Sequence, residues 1–344
     1  MNEREILLYH SLKGLHLLDK APKMQIVRDI CGLQAQFSRN PQYSLWLRAS
    51  DYHPDTWGDG LCKLWSHRGT MYVVPLDEAG VHLAALGTPA HFVEGAWGLT
   101  RREMEYWSAF LIDRIQSGTT SRDGLKSACL GHGMSDELLG RVFYGWGGLI
   151  REMVLRGMIL MKTGTQKEYF VPQNVPFWDQ NEAKKALFER YFAHFGPASI
   201  DDFRHFFTHF RSAQDGPLLD SVLSGLCRTV IDGAAYYHAQ PLTEDGPLPE
   251  CVLVPGFDAL ISGYHDRSRM IDDAHKRKLV NMAGIVFPSV LLRGRLRARW
   301  KIEGDKVVVT PFEPLLKKDE AALRRCVRAR LSPAVRQVEF LPPC

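Results

Sequence analysis

Ten consecutive residues near the C-terminal end, Arg293 to Ile302, alternate between a cation and an apolar or small residue. Successive side chains of a strand point to opposite faces, so this alternation predicts a half-buried strand with every cation on one face. The predicted cationic face consists of Arg293, Arg295, Arg297, Arg299 and Lys301.

Basic charge is concentrated around this strand. From residue 250 onward the chain carries 18 Lys and Arg against 11 Asp and Glu, whereas the whole chain has a net charge of +4. A row of cations attracts phosphates and gives affinity that does not depend on base sequence. The five cations lack an intervening acid, which favours a nucleic-acid surface. The alternative is the solvated outer face of an ordinary half-buried strand.

Composition and termini indicate a cytoplasmic protein. The 7 cysteines are scattered and form no Cys-x-x-Cys pair, which is typical of a reduced compartment and argues against a zinc ribbon. The first 18 residues mix Glu3, Arg4 and Glu5 with short apolar runs and do not resemble a secretory signal. No apolar stretch reaches the roughly 20 residues that a membrane helix needs, so we expect no membrane association.

Short helices followed by a β-hairpin, the order of a winged helix, recur in the first 246 residues. In the first module, apolar spacing predicts a helix over 26–37, a second from Pro41 and a third over 57–64. A strand, a turn and a strand follow over residues 65–74. The second module pairs a predicted helix over 138–155 with strands over 157–161 and 168–171.

The third predicted module begins at Lys184. Ser199 is a plausible helix N-cap, and Asp232-Gly233 between two short apolar runs is a strong hairpin signal. Together the three modules predict tandem winged-helix domains over 1–95, 96–180 and 181–246.

Beyond Pro249 the pattern becomes β-rich. Apolar runs bounded by Gly and Pro predict a small closed sheet, a β-barrel, over residues 247–344, and a helix over 320–331 closes the chain. The predicted runs cover residues 251–254, 286–287, 289–292 and 306–310. The fold class expected for the whole chain is therefore α+β.

Gln34 and Gln36 are the most informative polar pair. Positions two apart on a continuous helix point in nearly opposite directions, so both can line one cleft only if the helix ends there. Asn40-Pro41, shortly afterwards, permits such an end. The alternative is a pair of exposed amides at a helix end.

At this segment and five others, the chain resembles the winged-helix DNA glycosylases of the AlkZ and YcaQ type. The matching segments are residues 33–36, 64–74, 190–198, 254–258, 263–268 and 311–312. The resemblance implies three winged helices and a β-barrel arranged as a C-shaped clamp on DNA. The chain departs from the family pattern at Ala298, where Gly is usual, and at Gly256, where Ala is usual.

The resemblance also implies that Gln34 and Gln36 are a catalytic Gln-x-Gln motif of the AlkZ branch, since the YcaQ branch has Asp at the second position. Activities in the AlkZ branch include unhooking of interstrand crosslinks and release of bulky N7-alkylguanine or N3-alkyladenine. The expected partner is double-stranded DNA that contains alkylated purines.

Two amides suffice chemically for such lesions. An N7-alkylated guanine is already cationic and leaves without a general acid, so the enzyme needs only to stabilise the sugar cation and position a water. Amide carbonyls can do both, because their dipoles face positive charge and accept hydrogen bonds. No sequence feature points to a lysine with a depressed pKa, so we expect base release without strand cutting. We also expect the enzyme to use neither a metal nor a cofactor.

Three further residues are candidate DNA contacts. His67 and Arg68 lie at the predicted turn of the first wing, where side chains reach grooves or phosphates, although Arg68 could instead pair with an acid. Arg267 is the third candidate, although a structural salt bridge to Asp266 is the favoured alternative. Asp258 is likewise expected to have a structural role.

Two other classes of function compete with the glycosylase. A non-enzymatic winged-helix regulator normally binds a palindromic site as a dimer, whereas repeated modules in one chain predict a monomer that surrounds DNA by itself. A protein that sequesters a DNA-alkylating metabolite would give the basic strand no purpose.

Overall fold

The computed structural model describes residues 2–210, 213–243 and 246–344; residues 211, 212, 244 and 245 of the third predicted module lie outside the described residues. The helices are α1 (Glu3–Gly14), α2 (Lys23–Asp29), α3 (Arg39–Arg48), α4 (Ala79–Ala85), α5 (Arg101–Gln116), α6 (Arg122–Gly131), α7 (Asp136–Val142), α8 (Gly148–Leu155), α9 (Gln180–His194), α10 (Ile200–Phe206), α11 (Gly216–Ser224), α12 (Ala259–Ser262), α13 (Lys276–Leu279) and α14 (Lys317–Leu331). The strands are β1 (Leu33–Gln34), β2 (Leu61–Trp65), β3 (Met71–Pro75), β4 (Leu160–Met161), β5 (Tyr169–Phe170), β6 (Cys227–Ile231), β7 (Ala234–His238), β8 (Cys251–Val254), β9 (Ser289–Leu292), β10 (Arg295–Glu303), β11 (Lys306–Pro311) and β12 (Gln337–Phe340).

The chain divides into two compact units. The central unit is Gly58–Leu187, and the sheet unit combines Met1–Trp57 with Phe188–Cys344. The division into four domains stays a prediction, as do the winged-helix identity of the modules and the clamp. None of the described helices is both long and apolar enough to cross a membrane.

In the central unit, both predicted wings are antiparallel hairpins, β2 with β3 and β4 with β5, and β4 also pairs with β2. The predicted helix over 57–64 is wrong, because its second half belongs to β2, whose first four residues are all buried. A short apolar run buried on both faces carries no periodicity that separates a strand from a helix.

The predicted helix over 138–155 is interrupted between α7 and α8. Gly148, the first residue of α8, has a φ of 65°, and a Cβ at this position would lie 2.3 Å from the Arg141 carbonyl oxygen. Only glycine fits such a close approach, so the chain breaks the helix and starts a new one.

In the sheet unit, five strands are ordered β12-β11-β10-β9-β8, antiparallel except for the parallel pair β11 and β12. Among the described residues this sheet ends at β8 and β12, so the expected closed barrel is not found. Its apolar face instead packs against α14 through Leu323, Val327 and Leu331. A helix that covers this face buries the apolar surface that closure would otherwise bury.

The predicted alternation of the basic strand is confirmed from Arg295 onward. Leu296, Ala298 and Trp300 are buried, and the cations between them are half-buried on the other face. Arg293 was wrongly included in the strand: Arg293 and Gly294 form the turn between β9 and β10, with φ values of 47° and 81°. Two positive φ values are typical of a two-residue hairpin turn.

The local signals of the third module are confirmed. The Ser199 hydroxyl accepts a hydrogen bond from the Asp202 backbone N–H at 3.1 Å, and the Asp202 carboxylate accepts one from the Ser199 N–H at 3.0 Å. Asp232 and Gly233 turn the β6–β7 hairpin with φ values of 50° and 78°. A capping box and a type I′ turn are local devices, which explains why sequence was sufficient to find them.

Candidate active site

The backbone is no longer helical where it reaches the glutamine pair. Helix α2 ends at Asp29, Cys31 and Gly32 have positive φ values of 56° and 88°, and β1 then begins at Leu33. Gln34 ends this short strand, and Gln36 lies in the bend that follows it. The helix predicted over 26–37 is therefore wrong beyond Asp29, and the objection that residues two apart on a continuous helix diverge does not apply to this pair.

Gln34 and Gln36 are both half-buried, and Ala35 between them is buried. The Gln34 side-chain oxygen Oε1 is fully buried and has no hydrogen-bond partner among the described residues. An amide oxygen in this state costs about 1–3 kcal/mol unless a ligand or water donates to it. The Gln34 carbonyl is thus placed to accept a hydrogen bond or to face a positive charge.

Two aromatic rings follow the pair: Phe37 is the next residue after Gln36, and Phe257 packs against Phe37. Phe37, predicted as part of a buried helical face, is 48% exposed. Its ring centroid lies 5.4 Å from that of Phe257, a residue with a φ of 55°. Phe257 carries no sequence signal other than its place inside the matching segment 254–258.

Gly256 allows the Phe257 loop to approach α3 closely. A Cβ at Gly256 would lie 3.2 Å from the Val286 carbonyl oxygen and 3.3 Å from Asn40 Oδ1. The neighbours would have to shift to admit an alanine here. The departure from the family pattern at this position is therefore a packing feature at the edge of the candidate site.

Arg48 and Asp258 form a buried ion pair beneath this loop. The distance from Arg48 Nη2 to Asp258 Oδ2 is 2.7 Å, and the two side chains are 0% and 1% exposed. Arg48 also donates to the Leu15 carbonyl and the Ser44 hydroxyl, and Asp258 accepts from the Leu260 N–H. Asp258 is structural, as predicted, but its partner lies 210 residues away, where no sequence signal could identify it.

The segments 190–198 and 263–268 lock together inside the same unit. The Tyr191 hydroxyl donates to the Gly263 carbonyl at 2.8 Å, and the Tyr264 hydroxyl donates to the Phe195 carbonyl at 2.7 Å. Burial is the main cause that raises the pKa of Tyr264 to about 12. Both phenols therefore remain neutral donors.

A second buried pair, Asp202 and Arg269, joins these segments. Arg269 Nη2 lies 3.3 Å from Asp202 Oδ2, and Arg269 also donates to the Ser11 hydroxyl and the Pro197 carbonyl. Asp202 further accepts from the His265 backbone N–H at 2.8 Å. Neither charged residue has a local sequence signal that points to the other, because they lie 67 positions apart.

Arg267 is half-buried, donates from Nε to the Ile261 carbonyl and contacts the His205 ring. Asp266, its suggested partner, accepts hydrogen bonds from the Ser268 N–H and hydroxyl. Burial acts against ionisation of Asp266, but these hydrogen bonds outweigh it and hold its pKa below the ordinary value. These contacts are structural, and DNA binding by Arg267 stays a prediction.

His67 and Arg68 lie in the turn between β2 and β3, as predicted. The outward orientation expected for His67 is wrong, because the residue is 0% exposed and its ring packs 4.5 Å from that of Tyr72. Its Nδ1 atom lies 3.1 Å from the Ser66 hydroxyl. Arg68 is half-buried, and DNA contacts by either residue stay a prediction.

The cations of the basic strand and its turn all have partners within the sheet unit, and Glu303, the partner of Lys301, lies on the same strand. Ion pairs join Arg293 to Glu250 and Asp319, Arg295 to Asp272, Arg297 to Glu313, and Lys301 to Glu303. The Arg299 guanidinium lies 3.9 Å from the centre of the Phe287 ring. Most of these pairs are exposed and therefore weak, so phosphates can replace the carboxylates at small cost.

Three lysines have a pKa below the ordinary value, a property the sequence did not reveal. Burial is the main cause at Lys20, Lys63 and Lys167. Lys63 is the most buried of them at 4% exposed, and its Nζ lies 3.5 Å from the Gly164 carbonyl oxygen.

Comparison with known proteins agrees with the sequence resemblance. A curated interstrand DNA cross-link repair glycosylase of Streptomyces sahachiroi is 22% identical over 315 residues, which are 83% of this chain and 84% of that protein. The solved structure of the Streptomyces sahachiroi DNA glycosylase AlkZ superposes with a TM-score of 0.78 at 20% identity, covering 98% of this chain and 99% of the other, and shows the same fold. The model of the AlkZ-like DNA glycosylase family matches residues 27–332, and this chain therefore belongs to that family of DNA glycosylases.

Proposed function

We propose that this enzyme hydrolyses the N-glycosidic bond of cationic alkylated purines, N7-alkylguanine and N3-alkyladenine, and leaves the DNA strand intact. The observation that carries this proposal is the buried Gln34 side-chain oxygen, which has no hydrogen-bond partner among the described residues and lies two positions before the half-buried Gln36. A non-enzymatic regulator is not favoured, because it gives this pair no role and the family is enzymatic.

The proposed chemistry starts from a base that already carries a positive charge. As the glycosidic bond breaks, the electron pair leaves with the base and positive charge develops on the sugar. The Gln34 carbonyl dipole stabilises that charge, and Gln36 holds the water that attacks the sugar carbon and then releases its proton to solvent. An amide cannot deprotonate water, so the site depends on an activated leaving group and spares undamaged purines.

Phe37 and Phe257 supply an aromatic surface for the lesion. A glycosylase must take its target nucleotide out of the stack, and aromatic side chains stabilise a base that has lost its neighbours. The exposed ring of Phe37 next to Gln36 is suited to this contact.

We extend the proposal to interstrand crosslinks, the class of damage that the name of the curated relative indicates for that protein. For this chain we propose crosslinks that are joined through purine N7 atoms. Each crosslinked guanine is itself a cationic N7-alkylated base. Hydrolysis of one glycosidic bond therefore releases one strand from the other without new chemistry.

The test is single-turnover release of 7-methylguanine from a labelled duplex by the wild type and by Gln36→Ala. We expect release by the wild type, breaks only after alkali, and release slowed about 100-fold or more in the variant. The same assay on a duplex with a defined N7–N7 crosslink tests the extension of the proposal to interstrand crosslinks. No release from either substrate would overturn the proposal and favour a DNA-binding protein.

A lyase step would require a lysine amine that attacks the sugar, so the same reaction is run with borohydride. We expect no covalent trapping of DNA. Trapping that disappears in Lys63→Met, the variant of the most buried low-pKa lysine, would show instead that the enzyme cuts the strand.

A further inference from the structure

A cluster of two imidazoles and one carboxylate lies inside the sheet unit, apart from the glutamines. His16 follows α1, Asp29 ends α2 and His194 ends α9. One side-chain atom from each residue converges so that all three lie within 4.8 Å of one another. The three side chains are 14%, 16% and 28% exposed.

The distances from Asp29 to the two imidazoles fit metal coordination better than two hydrogen bonds from the imidazoles to one carboxylate. His16 Nε2 lies 2.7 Å from Asp29 Oδ2, an ordinary hydrogen bond. His194 Nε2 lies 3.4 Å from Asp29 Oδ1, which is long for a hydrogen bond. Two ligand atoms on a tetrahedral Zn²⁺ are roughly 3.3 Å apart, given metal–ligand bonds of about 2.0–2.1 Å. The His16–Asp29 distance would have to widen, and the ligand atoms of the two histidines lie at most 4.8 Å apart.

The backbone holds the three side chains in place. A Cβ at Gly14 would lie 2.1 Å from the His194 carbonyl oxygen, so only glycine allows the end of α1 to approach the end of α9 so closely. His16 has a φ of 56° because it closes the cap of α1: its N–H donates to the Lys13 carbonyl at 3.1 Å, and the Leu17 N–H donates to the Leu12 carbonyl at 2.9 Å. The His194 ring also hydrogen-bonds to the Gly14 backbone, the kind of contact that orients a metal-ligating imidazole.

We propose that His16, Asp29 and His194 form a binding site for a divalent transition metal of the Zn²⁺ type, with water as the fourth ligand. Two imidazoles and one carboxylate are a ligand set that suits zinc and its neighbours and does not suit Mg²⁺ or Ca²⁺. The metal has a structural role, because it ties together the ends of three helices. Asp29 lies five residues before Gln34, so the site steadies the segment that carries the glutamine pair.

The test is titration of metal-stripped, reduced full-length protein with Co²⁺, followed by its visible absorption, and with Zn²⁺ by calorimetry. We expect one equivalent to bind with a nitrogen–oxygen spectrum, and Zn²⁺ to raise the melting temperature. His194→Ala and Asp29→Asn should weaken binding at least about tenfold. Circular dichroism identifies a variant that fails to fold, in which case His16→Gln replaces it.

Two control variants separate this site from adventitious binding. His53→Ala removes a 61% exposed imidazole from the same unit and should leave affinity unchanged. Cys326→Ser removes a half-buried thiol beside Cys251 and should also change nothing. Absence of stoichiometric binding, binding that survives His194→Ala, or a thiolate-to-cobalt charge-transfer band would each overturn the proposal. Base release is a separate assay, so its failure would not affect this result.

Discussion

At the scale of single residues, the candidate active site uses neutral side chains where many hydrolases use charged ones. Gln34 and Gln36 can face a sugar cation and a water, but they cannot exchange protons with either. Their effect depends on fixed orientation in a site sheltered from water, and the buried Gln34 oxygen fits that requirement. An amide whose carbonyl is already aimed need not reorganise when charge develops.

Replacing Gln34 or Gln36 by alanine is expected to slow base release about 100- to 1,000-fold while DNA affinity stays within about twofold. The reason is that phosphate contacts dominate affinity and the amides act on the reacting sugar. Single-turnover rates and fluorescence anisotropy measure the two effects. Gln42→Ala, a half-buried amide that donates to the Tyr52 hydroxyl, is the matched control. Loss of affinity with an unchanged rate on bound DNA would contradict the assigned role.

The buried pair of Arg48 and Asp258 carries a stability prediction. Asp258→Ala removes the partner of a guanidinium that is 0% exposed, and an uncompensated buried charge costs about 3–5 kcal/mol. Urea unfolding measures the loss. Asp232→Asn removes an ion pair with Arg4 whose side chains are 63% and 54% exposed, and it should cost less than about 1 kcal/mol. Equal losses in the two variants would refute the argument.

At the scale of elements, the basic strand packs into the hydrophobic core through one face and carries cations on the other. Its apolar side chains pack on the sheet side covered by α14. On the other face, Arg295, Arg297 and Arg299 are half-buried and Lys301 is exposed. Each ion pair formed there is long or exposed, so the carboxylates screen the cations without holding them firmly. A polyanion can displace such partners, which makes this face a candidate for phosphate binding.

Arg297→Ala is expected to weaken binding of duplexes of any sequence and to lower the slope of log affinity against log salt by about 1, the contribution of one phosphate contact. Anisotropy titrations over a range of salt concentrations give the slope. Arg328→Ala makes the same charge change at an exposed position on α14. An identical slope change in both variants would show that net charge, and not the strand, determines affinity.

At the scale of the whole molecule, the chain has separate hydrophobic cores. The core of the central unit gathers side chains from α5, α6, α8 and β2 to β5. The core under the five-stranded sheet consists of residues from β8 to β11, α3 and α14. Independent cores permit independent unfolding.

Calorimetry should resolve two transitions that respond to different substitutions. Leu111→Ala, in the core of the central unit, should lower one, and Leu323→Ala, in the core of the sheet unit, should lower the other. Each residue is 0% exposed, and such truncations cost about 2–5 kcal/mol. A single transition that both variants lower equally would instead mean that the units unfold together.

The sequence by itself determined the features that depend on neighbouring residues: the strand with one cationic face, the hairpins, the Ser199 cap and the ordered motifs that place the chain in its family. Periodicity, capping and turn chemistry act over a few residues, so they can be recognised from the sequence alone. The helix predicted over 57–64 is wrong because a run buried on both sides has no such signature.

Only the tertiary structure decided which distant residues meet. The pairs Arg48–Asp258 and Asp202–Arg269, and the cluster of His16, Asp29 and His194, join segments that no local pattern connects. The open sheet is equally a tertiary outcome, because α14 covers the face that a barrel would enclose. The surroundings of the glutamine pair are a tertiary outcome as well: α2 ends at Asp29, and burial leaves the Gln34 side-chain oxygen without a hydrogen-bond partner among the described residues.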